Sequence, residues 1–242
     1  MKNKYLPFVS DKTFEECIKK AMKTYKDSET SLSNLNKKEP LSILKSAKNT
    51  TDGFKTLLDI YGHEFDLNEW KLFEISRALD LGNRSMSIIF HVGILSNVNG
   101  WKIHNVANSP DKERMIKNKD NSIFIDIRNL QHSLDSDKKY GIRDRFDEIL
   151  KSNPDAMCYH GFIISNNYEK NLDQIYHLRD RKDHENIRKI SGDLIYQKVT
   201  GDEKALSKTY NALRLYLKEN SDHNLSAKDE ETLNQYQRKI FN

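Results

Sequence analysis

Cysteine is scarce in this 242-residue chain: Cys17 and Cys158 are the two, with neither a CxxC spacing nor paired histidines near them. That excludes a disulfide framework and a thiolate metal site, and both read as small buried hydrophobes. Long apolar runs are missing as well. None approaches the ~20 residues that a bilayer span needs, and the opening MKNKYLPFVSDKTF lacks the apolar core of a secretion signal. A soluble, reducing, cytoplasmic setting with no membrane contact is expected. Nor does charge of one sign dominate: 40 basic residues face 36 acidic ones, for a net +4. This excludes a generally basic DNA-coating protein but permits a local basic patch. No internal repeat and no convincing linker divides the chain, so residues 1–242 read as a single domain.

What is present is 36% apolar and 31% charged residues, on a chain long enough to bury a substantial core. Helical spacing of Phe14, Ile18, Ala21 and Tyr25 marks an amphipathic helix, with Ser10 or Asp11 as its N-cap. A polar stretch with Pro40 reads as a loop, and a short helix is expected over 41–60. Asp66 and Glu69 form a capping-box pattern ahead of Leu67, Trp70, Phe73 and Leu81. After a break at Gly82-Asn83 a second apolar helix follows, so 67–98 reads as a helical pair. GWKIHNV, NSIFIDIRNL and AMCYHGFIIS are strand-like, and DKKYGIRDRFDEIL between the last two is a helix, giving a βαβ unit. From IRKISGDLIYQKVTG onward the pattern is mostly helical, with Leu206, Leu213 and Leu217 on one stripe. Residues 1–100 and 171–242 are thus expected to be mainly helical, around a sheet core at 101–170. The fold class is α/β, a central mixed β-sheet flanked by helices.

The chemistry gathers in SPDKERMIKNKDNSIFIDIRN, residues 109–129. Pro110-Asp111 is followed, after fourteen intervening residues, by Asp126-Ile127-Arg128. This is close to the PD…(D/E)xK arrangement of Mg²⁺-dependent nucleases, with arginine where lysine belongs. A strand period of two puts Asp126 and Arg128 on one face and the isoleucines on the other. Phosphodiester hydrolysis needs oxygen ligands for Mg²⁺ and a group that generates or orients hydroxide. Asp126 suits the first task; Arg128 suits charge stabilisation but is a poor proton acceptor. The plainer reading of the same two residues is a surface ion pair.

The chain as a whole resembles the type II restriction endonucleases that cut GGNCC, a branch of the PD-(D/E)xK nuclease superfamily. KYLPFVSD is similar to that family's start, and Trp70, Glu74, Arg77 and Phe90-His91 follow the order of its helical block. IFIDIRN takes the place of a strand reading hydrophobic, Glu, hydrophobic, Lys, Asn, and ENIRKISGDLIYQKVTG resembles a further family segment. The similarity runs over about residues 4–205. It implies a restriction-endonuclease-like fold, double-stranded DNA as partner, Mg²⁺ as cofactor and a homodimer that reads a symmetric site.

The departures fall at the chemistry. In the family register the metal-binding Asp lies eleven positions before Asp126, and Met115 stands there. A thioether does not replace a hard oxygen donor for magnesium. Asp111 or Glu113 would restore a ligand if the segment bulged. Asp126, Arg128 and Glu74 are therefore the candidate catalytic residues, and Asp126, Asp111 and Glu113 the candidate metal ligands. Leu81, Ser85, Ile88 and Val92 stand where the helical block usually has Lys, Asn, Gly and Gln. Glu74 and Arg77 also read as a helix-surface ion pair, and His91 as a hydrogen-bonded core histidine. Lys138, Lys139, Arg143 and Arg145 after the site strand, and Arg179, Arg181, Lys182 and Arg188 in YHLRDRKDHENIRK, are candidate DNA contacts. As mixed-sign runs they also read as solvated faces. Two outcomes follow: a type II endonuclease cutting with Mg²⁺, or a catalytically inactive DNA-binding or phage-defence protein on the same scaffold.

Overall fold

The structure is a computed structural model and describes residues 3–36, 61–62, 66–104, 114–130, 136–164, 169–221 and 225–241. The helix expected over 41–60 lies outside the described residues. Two compact units emerge, one of Met1–Cys17 with Ile88–Asn242 and one of Ile18–Ser87.

Helix α1 (Asp11–Asn36) starts where the Ser10 hydroxyl accepts the Thr13 N–H at 3.2 Å. Ser10, not Asp11, is the N-cap. Asp11 instead accepts the N–H groups of Lys4 and Tyr5, which pins the segment ahead of the helix. Helix α2 (Leu67–Ser96) opens on the expected capping box: Asp66 accepts the Glu69 N–H at 2.9 Å, and Glu69 reaches back to the Asp66 N–H at 2.9 Å. It then runs unbroken through Gly82-Asn83, where two helices were expected. One interior glycine costs only about 1 kcal/mol relative to alanine, too little to stop a helix that is apolar on both sides of it.

The sheet belongs to the larger unit. Strands β1 (Trp101–Ile103), β2 (Met115–Asn118) and β3 (Ile123–Leu130) form an antiparallel meander. Helix α3 (Ser136–Ser152) crosses to β4 (Met157–Ile164), which pairs in parallel with β3. This is the expected βαβ unit. Strands β5 (Asp173–Ile175) and β6 (Ile187–Ser191) complete the order β1-β2-β3-β4-β6-β5, with β6 parallel to β4 and β5 antiparallel to β6. A mixed sheet flanked by helices is the result.

β6 corrects the expectation that the chain is helical from residue 187. IRKIS is short, and it is β4 on one side and β5 on the other that recruit it into the sheet. Helix α4 (Gly192–Thr200) follows at once. A Cβ on Gly192 would stand 2.3 Å from the Ile163 carbonyl oxygen, so only glycine lets the chain turn this tightly past β4. Helices α5 (Ala205–Glu219) and α6 (Ala227–Phe241) end the chain. The leucine stripe does not mark the buried face of α5, which is Ala205, Thr209, Ala212 and Tyr216. Leu213 and Leu217 line a cleft of about 370 Å³ shared with Leu225 and Leu233.

The sheet has two differently built faces. Beneath α3, Ile142, Phe146 and Leu150 pack on Met115, Phe124, Cys158 and Ile187. On the opposite face Gly161 leaves room for Ile195 of α4 against Ile125.

Candidate functional site

Asp126 and Arg128 share the α3 face of β3, as the alternation predicts, and they are anything but a surface pair: they are 1% and 2% exposed. The Arg128 Nε donates to Asp126 Oδ1 at 2.7 Å and its Nη2 donates to Oδ2 at 3.2 Å. From α3, Arg145 Nη2 donates to Oδ2 at 3.1 Å. The parallel register sets His160 of β4 directly beside Asp126, with Nδ1 3.7 Å from Oδ1, beyond hydrogen-bonding reach. Burial pushes the Asp126 carboxyl upward, but His160 and the Arg128 guanidinium outweigh it and hold the group at about 2. Asp126 is an anion clasped by guanidinium groups.

The antiparallel register sets Met115 opposite Asp126. Cross-strand partners share a face, so Met115 adjoins Asp126, as an eleven-residue spacing through a tight β2–β3 connection requires. Asp111 and Glu113 lie outside the described residues. Magnesium needs oxygen ligands in octahedral order. Here both Asp126 oxygens are engaged by guanidinium donors and the opposite side chain is a buried thioether. Among the described residues no group of three or more His, Cys, Asp or Glu is gathered for a metal. These residues do not fit Mg²⁺ at Asp126.

Glu74 is buried on α2, in the smaller unit. His91 matches the core reading: its Nδ1 meets the Tyr196 hydroxyl at 2.7 Å, and burial pushes its pKa down to about 4. Both cysteines are buried and free, and burial pushes the Cys158 thiol up to about 12.

The candidate DNA contacts divide into two groups. Lys138, Arg179 and Lys182 are exposed and Lys139 is half-buried. Arg143 is buried, bonded through Nε to Asp147 at 3.0 Å and through Nη2 to the Lys182 carbonyl at 2.9 Å. Arg181 pairs with Asp144 at 2.6 Å and Arg188 with Asp173 at 2.5 Å. The tertiary structure therefore assembles Asp126, Arg128, Arg145 and His160 and leaves the basic clusters around the 179–188 segment. His160 was missed by sequence reasoning. The alternation Cys158, His160, Phe162 carried its face, but nothing local carried its register against Asp126.

A six-stranded mixed sheet with a βαβ crossover, a carboxylate on its middle strand and flanking helices defines an α/β protein of restriction-endonuclease-like fold. The family model of the Eco47II restriction endonuclease matches residues 6–220, and the chain belongs to this family. It is 26% identical over 213 residues to the type II restriction enzyme Sau96I of Staphylococcus aureus, covering 85% of this chain and 77% of the relative. Among the described residues no helix is long and apolar enough to cross a membrane.

Proposed function

We propose that the chain recognises double-stranded DNA as a homodimer on a restriction-endonuclease scaffold, and that Mg²⁺-dependent hydrolysis at Asp126 is weak or absent. The observation that carries this reading is the clasp of Arg128 and Arg145 on a carboxylate whose cross-strand neighbour is Met115. Metal positioning and transition-state charge stabilisation each contribute a few kcal/mol to phosphodiester cleavage. A locked Asp126 supplies neither. DNA affinity instead rests on many separate cations, with Lys138, Lys139, Arg179 and Lys182 as phosphate contacts. Arg143, Arg181 and Arg188 act indirectly, by holding α3 and the segment 173–188 in shape.

Membership of an endonuclease family favours a second reading: an active enzyme in which Asp111 or Glu113 completes the metal site and Arg128 swings away. Plasmid cleavage in Mg²⁺ and Mn²⁺, beside a duplex-binding titration, separates the two. The expected result is binding that weakens steeply with salt and little or no cutting, with cutting gained in Met115→Asp/Arg128→Lys. Robust Mg²⁺-dependent cutting by the unmodified protein, lost in folded Asp126→Asn, Glu74→Gln or Asp111→Asn, would install the second reading. A protein that stays monomeric at micromolar concentration with and without DNA would remove the homodimer.

A further inference from the structure

We infer that Arg145 links the buried Asp126 carboxylate to a phosphate-binding cleft beside it, completed by Lys117 and His104, so that an arginine bridges carboxylate and DNA backbone here. The inference rests on the DNA-binding reading above and deepens it. The cleft holds about 290 Å³ between β2 and α3, and His104, Lys117, Asn121, Phe124, Arg145 and Glu148 line it. One edge of the Arg145 guanidinium is fixed by Asp126 Oδ2 at 3.1 Å, and the residue is still 19% exposed by its side chain. An arginine held along one edge by a carboxylate keeps further N–H donors for a second anion, and its planar fork suits phosphate oxygens.

Three observations outside the ion pair converge on an anion. First, Lys117 sits directly opposite Lys102 in the β1–β2 register. Like charges in that position destabilise a ladder, and a bound anion would relieve the repulsion. Burial, then the charge of Lys102, pulls the Lys117 pKa down, and burial, then Lys117, pulls His104 down. Second, the strand alternation puts Lys117, Phe124 and Asp126 on one face, and His104 stacks edge-on against Phe124 at 5.2 Å, so Lys117 and His104 border the cleft that Arg145 lines from α3. Third, Asn121 is held at φ 59, and its enclosed Oδ1 has no hydrogen-bond partner. An amide oxygen only accepts, so it is the flipped amide, with its N–H group inward, that would serve an anion here. Glu148 is the opposing charge among the described lining residues. A phosphodiester is the ligand class that suits two cations, an amide and an imidazole in an open cleft.

The test is fluorescence anisotropy of a labelled duplex with the full chain in EDTA, over a potassium chloride series. Each phosphate contact contributes about 0.9 to the slope of log affinity against log salt. Lys117→Ala and Arg145→Ala should each bind several-fold more weakly and lose about one unit of slope. Glu148→Gln should bind more tightly than the unmodified protein, and Lys228→Ala, on α6 away from the cleft, should keep the slope. Should Arg145→Ala fail to fold, Lys117→Ala and Glu148→Gln decide the matter. Unchanged affinity and slope in both would overturn the phosphate cleft and leave DNA binding standing. Failure of the unmodified protein to bind any duplex at low salt is a separate result, which would remove the DNA-binding reading with it.

Discussion

The two faces of the central sheet bury their polar groups by opposite means. On the α4 side, Ile125, Ile127, Gly161 and Ile195 make an apolar layer, and the polar contact beside it, His91 with the Tyr196 hydroxyl, is neutral. On the α3 side, Asp126 and Arg128 are buried as ions, with His160 at their flank and Arg145 leading outward. Packing governs the first face, so shape is what it cannot surrender. Charge balance governs the second, so it depends on every member keeping its partner. The difference shows what sets the ionic face apart: both Asp126 oxygens are taken by guanidinium donors, and Mg²⁺ would have to compete with them for the same lone pairs.

The largest effect expected is from breaking the ionic face. Asp126→Ala removes the carboxylate that Arg145 and the buried Arg128 share and should cost about 3–5 kcal/mol in urea denaturation. Asp126→Leu/Arg128→Met should recover much of that, since it removes both charges at once. A double variant as unstable as the single one would contradict the view that charge balance rules this face.

Next comes the neutral pair. His91 has its folded-state pKa depressed from 6.5 to about 4, so the unfolded chain binds the extra proton first. Its contribution is therefore whole above pH 6.5 and is lost as pH falls toward 4, by about 3 kcal/mol in total. His91→Gln should flatten the stability profile across that window. A profile that stays as steep would assign the loss to other groups.

Packing on the same side predicts a somewhat smaller penalty. Gly192→Ala drives a Cβ against the Ile163 backbone and should cost about 1–3 kcal/mol, measurable as a shift in the denaturation midpoint without a change in slope. The smallest effect belongs to exposed charge. Arg181→Ala breaks a pair with Asp144 that is 43% and 55% exposed, and its cost should stay below about 1 kcal/mol. A loss as large as that of Asp126→Ala would erase the distinction between buried and surface ions.

Much of this molecule is written locally. The Asp66–Glu69 capping box, the amphipathic start of α1, the βαβ unit and the shared face of Asp126 and Arg128 follow from hydrogen-bonding and side-chain periods that span a few residues. Such periods are visible in one chain without any partner. The family's ordered segments are visible in the same way. Other features belong to the tertiary structure alone: Met115 opposite Asp126, His160 beside it, and Arg145 brought over from a helix. So do the recruitment of Ile187–Ser191 into the sheet and the burial of Arg128 to 2% exposure. Each depends on register between segments distant in sequence, and register is decided by which pairing buries the most apolar surface while leaving no ion alone. Alternation along β3 could say that an acid and an arginine lie side by side. Only the strands and helix packed around them decided that the acid is buried and bonded by two arginines, Arg128 from its own strand and Arg145 from α3.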